Sequence, residues 1–140
     1  MIQSIPIEHK SRQEELCTLC SIPFDRSELA YEITFGDSGE RTGILTFKLC
    51  GKEAFITNIA ETSPSANDDF DNETAITFFI AGRGTLNFLD LHGIHDVYFD
   101  NITPKRAGIA KMIGFRENSD GKFYINLRGF FDGSMCETTK

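Results

Sequence analysis

TAITFFIAGRGTLNFLDLHGIHDVYF, residues 74–99, is the stretch on which the fold turns. Residues 74–92 read as one helix, and Gly93 supplies its C-terminal stop. Residues 96–99 then read as a short strand. A helix between two strands is a crossover. The strand at 96–99 is therefore expected to lie parallel to the strand that precedes the helix, through a right-handed connection.

Upstream, Leu29, Tyr31, Ile33 and Phe35 alternate with Ala30, Glu32 and Thr34, the pattern of a half-buried strand. Residues 36–39 form a turn, residues 43–50 a second strand with Leu45, Phe47 and Leu49 on one face, and Gly51-Lys52 a second turn. Residues 54–61 make a third strand, rich in Phe, Ile and Thr, and the three strands read as an antiparallel meander. Between meander and helix lies an acidic loop carrying Glu61, Asp68, Asp69, Asp71 and Glu73.

At the N-terminal end, Ile2, Ile5 and Ile7 suggest a first strand, and residues 8–20 a helix that Pro23 closes off. Residues 24–28 are left open as a short second helix or a loop. Downstream, residues 104–113 read as a helix with Pro104 in its first turn, followed by a hairpin turning at residues 119–121. Phe130 and Phe131 are expected to dock on the core. The expected fold is α+β, a mixed central sheet in the order β-α-(α)-β-β-β-α-β-α-β-β, in a single domain spanning residues 1–140.

Composition narrows the function. The 140 residues carry a net charge of −7, which disfavours a nucleic-acid coat. No apolar run reaches the ~18 residues of a membrane span. Residues 1–10 show no basic region followed by an apolar stretch, so the expected location is the cytoplasm. Cys17 and Cys20 form a lone C-x-x-C late in a helix and read as ordinary helix cysteines. His92 and His95 are interrupted by Gly93, and no metal site is expected.

The element order and several local strings resemble the GNAT acyltransferase superfamily over nearly the whole chain. Lys111-Met112-Ile113-Gly114-Phe115 is similar to the phrase in which a Gly-Phe pair closes that family's fourth helix. Residues 87–99 are similar to the end of its third helix and its fifth strand. The resemblance implies use of acetyl-CoA or another acyl-CoA, and acyl transfer to an amine on a small molecule or a peptide. It also implies a diphosphate site at the N-terminus of the third helix, where N–H groups lack internal partners and the dipole is positive. The nearest match to the family's phrase is Phe79-Ile80-Ala81-Gly82-Arg83-Gly84, with Phe79 where a basic or amide residue is usual.

Two registers are open. If the phrase opens the helix, only residues 85–92 remain after it. If the helix keeps its usual length, it begins nearer residues 75–79 and both glycines lie inside it. That second register is favoured, and the interior glycines then imply a close contact, since each costs roughly 1 kcal/mol relative to Ala. The resemblance implies cofactor contacts from Ile59 and Ala60 on the preceding strand, from Thr77, Phe78, Phe79, Ala81, Gly82, Arg83 and Gly84, and from Asn101. The net charge of residues 101–131 is +4, six basic residues against two acidic, and this segment either faces CoA phosphates or forms a mixed surface.

A protonated amine is no nucleophile, so a base must take its proton. Glu61 stands where the family often has a carboxylate, and Glu32 is a weaker candidate. The family's usual acid, a Tyr four residues before the Gly of Gly-Phe, is here Ala110. Tyr98 and Tyr124 are candidate substitutes, and solvent is a third. Loss of that acid leaves a second reading open, a GNAT-like module that binds CoA or a protein without catalysis.

Overall fold

A computed structural model describes residues 3–35, 41–62 and 71–131. The elements run β1 (Gln3–Pro6), α1 (Lys10–Leu19), β2 (Leu29–Thr34), β3 (Thr42–Cys50), β4 (Glu53–Glu61), α2 (Asn72–Leu91), β5 (Asp96–Phe99), α3 (Pro104–Ile113), β6 (Arg116–Glu117) and β7 (Phe123–Asn126). The strands form one seven-stranded sheet in the order β1-β2-β3-β4-β5-β7-β6. Every neighbouring pair is antiparallel except β4 and β5, which the α2 crossover makes parallel, as residues 74–99 predict.

Residues 24–28 are a turn and not a second helix. The Asp25 carboxylate accepts from both the backbone N–H and the hydroxyl of Ser27, a local bond that competes with helical pairing. The expected acidic loop and the turn at 36–39 fall mainly at residues 63–70 and 36–40, outside the described residues.

Two helices cover one face of the sheet. Phe78, Leu86 and Leu89 from α2, and Ile109 and Ile113 from α3, meet Ile33, Phe35, Leu45, Phe47, Ile56 and Ile59 in the main core. Phe35 and Phe78 pack edge to face with centroids 5.8 Å apart. Each such fully buried side chain contributes about 2–3 kcal/mol of transfer free energy. On the other face α1 lays Leu16, Cys17 and Cys20 against Ala30 and Ile44, which explains the cysteine spacing as a buried helix face. Phe130 packs on the main core and Phe131 leans against it from the exposed side.

Gly114 ends α3 with φ 137°, a conformation that excludes a side chain, so the Gly-Phe phrase has a backbone cause. It lets Phe115 turn fully into the core.

Candidate functional site

The feature that shapes the site is where β4 parts from β5. Their pairing runs from Glu53 opposite Asp96 to Ile56 opposite Phe99 and then stops, although β4 continues to Glu61. At the same point Thr57 is an extra residue against β3, because Asn58 faces Thr46 while Ile56 faces Phe47. The Thr57 hydroxyl lies 2.7 Å from that of Thr46, which pins the bulge. A bulge twists its strand, and here it turns the last residues of β4 away from β5. The final hydrogen bond across the pair runs from Asp100 N–H to the Ile56 carbonyl, 2.7 Å.

A cavity of about 290 Å³ opens beyond that point. Ile59, Ala60 and Glu61 line it from β4, Cys20, Ser21 and Ile22 from the end of α1, and Thr103, Lys105 and Arg106 from the start of α3. Glu61 is only 3% exposed. Its Oε1 meets Arg41 Nη1 at 3.0 Å, and the same nitrogen donates to the Thr74 hydroxyl on α2 at 3.0 Å. Burial pushes the Glu61 carboxyl above its ordinary pKa, and the charge of Asp71 adds to this. Arg41 and Lys105 pull the other way without overcoming it. Cys20 is neutral in this setting, its pKa pushed up to about 12 chiefly by burial.

Two side chains reach across the gap near its apex. Asn101, held at φ 55°, donates from Nδ2 to the Thr57 carbonyl at 2.7 Å. Arg106 Nη1 donates to Asn58 Oδ1 and to the Asn101 carbonyl, each at 3.2 Å.

The fold is similar to that of solved proteins, an N-acetyltransferase among them. The ribosomal-protein-S18-alanine N-acetyltransferase of Escherichia coli aligns with 89% of the chain and 89% of its own at 13% identity and a TM-score of 0.54. Tetrahymena GCN5 aligns over 89% of this chain and 93% of its own, at 12% identity and TM-score 0.50. YhhK of Escherichia coli, solved in solution with coenzyme A bound, aligns over 90% and 98%, at 14% identity and TM-score 0.50. The chain has the GNAT fold. At such identities the likeness is one of fold, and neither a sequence-family model nor a curated protein matches the chain.

Within this GNAT fold the expected site residues divide. Glu61 and Ala60 line the cavity, and Ile59 does so while also packing in the main core. Asn101 stands at the end of β5 with its amide on β4. The remaining contacts shift because α2 begins at Asn72 and runs for 20 residues, so the long register is correct and the short one is not. Thr77, Phe78, Phe79, Ala81, Gly82, Arg83 and Gly84 therefore all lie beyond the first turn, with their amides in the helix ladder. Amides from Ala75 onward are bonded within the helix and so are not free to meet an anion. The helix N-terminus is at residues 72–74, where the Asp71 carboxylate already accepts from the Thr74 N–H at 2.8 Å.

The side chains of that stretch hold the helix in place. Thr77 is buried with its hydroxyl on the Glu73 carbonyl, and Phe78 and Ala81 belong to the core. A Cβ on Gly82 would stand 2.4 Å from Ile113 Cδ1, so the close approach is to α3 and not to the sheet. Gly84 faces open space. Arg83 lies about 16 Å along the helix axis from Asn72 at ~1.5 Å per residue. Its Nε donates to the Ile113 carbonyl at 2.5 Å, and its guanidinium sits 4.8 Å from the ring centroids of both Phe79 and Phe130. It caps the end of α3 and lies against two rings, contacts that give it a structural role in seating α2 on α3.

Tyr98 is not brought to Glu61. It pairs with Phe55, six residues before Glu61 and so roughly 20 Å away along the strand. Its neighbours Val97 and Phe99 enter the α2–α3 core, so Tyr98 points to the opposite face, between the rings of Phe55 and Tyr124. Tyr124 is likewise committed, donating its hydroxyl to Asp96. Glu32 pairs with Arg12 on the α1 face. His92 and His95 bond to Phe88 and Asp90 respectively, and no three metal-ligating side chains gather among the described residues. No described helix is long and apolar enough to cross a membrane.

Arg41, Thr74 and Arg106 were not marked by sequence reasoning. In the register of β3 and β4 Glu61 faces Gly43, so Arg41 reaches it from two residues along β3, a contact that counting from the Gly51 turn does not mark. Asp71, three residues before Thr74, fits the N-cap pattern. The bond from Arg106 to Asn58 spans 48 positions and has no local signature.

Proposed function

We propose that the chain is an acyl-CoA-dependent N-acyltransferase, with acetyl-CoA as donor and an amine on a small molecule or peptide as acceptor. One observation carries the reading: β4 leaves β5 at the Thr57 bulge and ends in a buried carboxylate on a cavity. A strand edge without a partner offers backbone N–H and C=O groups to an extended amide chain such as a pantetheine arm. Glu61, with its raised pKa, is suited to take a proton from an ammonium, directly or through one water. The free amine attacks the thioester carbonyl, the C–N bond forms, the C–S bond breaks, and CoA leaves as thiolate. Ala110 is buried and cannot protonate it, so the proton comes from solvent. A cytoplasmic location belongs to the same proposal.

Calorimetry with acetyl-CoA, followed by mass spectrometry of an amine panel, tests this. Binding, and transfer that falls by roughly 10²–10⁴ in Glu61→Gln, are the expected results. A protein indifferent to CoA species at millimolar concentration rules the reading out.

The bonds of Asn101 and Arg106 across the gap favour a second reading, a GNAT-fold module that binds without transferring. CoA binding with no product from any amine would select it.

A further inference from the structure

The cavity at Glu61 carries more positive charge than negative. Its charged lining residues are Glu61, Lys105 and Arg106. Glu61 is held by Arg41 at 3.0 Å, and Lys105 acts on it by charge. Arg106 is placed differently. Its Nη1 donates to neutral oxygens, Asn58 Oδ1 and the Asn101 carbonyl. Among the described residues no carboxylate pairs with it, and its Nε and Nη2 make no hydrogen bond. The same Nε–Nη2 edge of Arg12 grips the two carboxylate oxygens of Glu32 elsewhere in this chain, at 3.0 and 2.8 Å. A guanidinium edge is a geometric match for a carboxylate. Burial lowers the pKa of Arg106. A partly desolvated cation without a counter-ion on a cavity wall gains from an anion placed beside it.

Resting on the acyltransferase reading, we infer that the acceptor is a free amino acid, its amino group presented to Glu61 and its carboxylate held by Arg106. The carboxylate takes no part in the bond changes and serves to hold the amine in place. Lys105 also acts on Glu61 and Asp71, so the larger share of carboxylate binding falls to Arg106. The cavity, about 290 Å³, stands at the small end of ligand sites, which run from roughly 300 to 1,000 Å³, and so suits a small acceptor. It is lined from both α1 and α3, which pack on opposite faces of the sheet, so donor and acceptor can enter the gap from different sides. A second cavity, of about 350 Å³, lies between the end of β5 and the β6–β7 hairpin and has the opposite charge balance. Its charged lining residues are Asp100, Glu117 and Lys122, and Glu61 is not among its walls. Two carboxylates against one ammonium would favour a diamine there.

The test is acetyl transfer from acetyl-CoA to a panel of free amino acids, the corresponding amino-acid amides, and diamines. The wild type, Arg106→Gln, Arg106→Lys and Lys105→Ala are compared, with circular dichroism to check folding. An amide keeps the amine and loses the carboxylate's charge. The expected kcat/KM of the wild type is about tenfold higher for the best amino acid than for its amide, the size of one charge-assisted hydrogen bond. In Arg106→Gln that ratio falls about tenfold, through a raised KM for the amino acid, because a contact to a group outside the reaction is equally strong in ground and transition states. Arg106→Lys restores part of the ratio. Lys105→Ala lowers it by less than Arg106→Gln, and carries the test if the Arg106 variants do not fold. An Arg106 that only bridges α3 and β4 would lower transfer to amino acid and amide alike, and an unchanged ratio overturns the assignment. A wild type with no preference for amino acids over amides, or with a preference for diamines, overturns the amino-acid proposal and leaves acyl transfer standing. Transfer to no acceptor overturns both.

Discussion

Replacing Gly82 by Ala measures how tightly α2 is seated on α3. The new Cβ would lie 2.4 Å from Ile113 Cδ1 and 2.9 Å from Ile113 Cγ1, against a carbon–carbon optimum of about 3.5–4.0 Å. Ile113 is fully buried, so its side chain cannot swing aside without displacing the core. Overpacking of this kind costs about 1–3 kcal/mol. Against it stands a gain of about 1 kcal/mol from Ala in a helix interior. The net expectation is a loss of up to about 2 kcal/mol, or up to ~6 °C in Tm for a chain of this size. Gly84 is the internal control, two residues along the same helix, where a Cβ would meet nothing within 4 Å. Gly84→Ala is expected to stabilise by about 0.5–1 kcal/mol. Ile113→Val removes the atom at 2.4 Å, so the double variant Gly82→Ala/Ile113→Val should lose less than the two single losses combined. Urea unfolding of the wild type and the four variants at pH 7 reads all of this. If Gly82→Ala and Gly84→Ala shift stability in the same upward direction, the contact between α2 and α3 is not as tight as argued.

Arg83→Met is expected to cost about 1–3 kcal/mol, since it removes a charged donor from the Ile113 carbonyl, while acetyl-CoA affinity stays at the wild-type value. An intact Tm with lost CoA binding would return Arg83 to the ligand. Glu61 holds its proton more tightly in the folded chain than in the unfolded one, so its contribution to stability is full below the ordinary carboxylate pKa and falls as pH rises through the raised value. The Tm of Glu61→Gln relative to wild type should accordingly climb between pH 4 and pH 7, and a flat difference rejects the raised pKa. In a Cys136→Ser background, maleimide at neutral pH should label exposed Cys50 promptly and reach buried Cys17 and Cys20 only on unfolding. Prompt labelling of three thiols in the folded protein would contradict their burial.

Much of the fold was legible because its signals are local. Alternation in residues 29–35 marks a strand wherever the strand goes, and the turns at Gly51 and Gly114 need a conformation that few residues besides glycine adopt. The parallel pairing of β4 and β5 followed from one long helix between two strands. Glu61 was legible as a carboxylate at a strand end. The phrase around Gly82 and Gly84 misled because glycines beside an arginine are consistent with two demands, room for a phosphate and room for a neighbouring helix. Tyr98 misled because a strand residue's face follows from register, which its own identity does not state.

The sequence alone determined the order of elements, the parallel crossover, the helix stop at Gly93 and the setting of Cys17 and Cys20 as ordinary helix cysteines, since each depends on periodicity or backbone preference within a few residues. Only the tertiary structure decided that Gly82 meets Ile113, that Arg83 closes α3, that Arg41 pairs with Glu61, and that Arg106 reaches Asn58 on β4. Those outcomes are set by distances between residues that lie 20 to 48 positions apart along the chain, where no local pattern can specify which side chain arrives first.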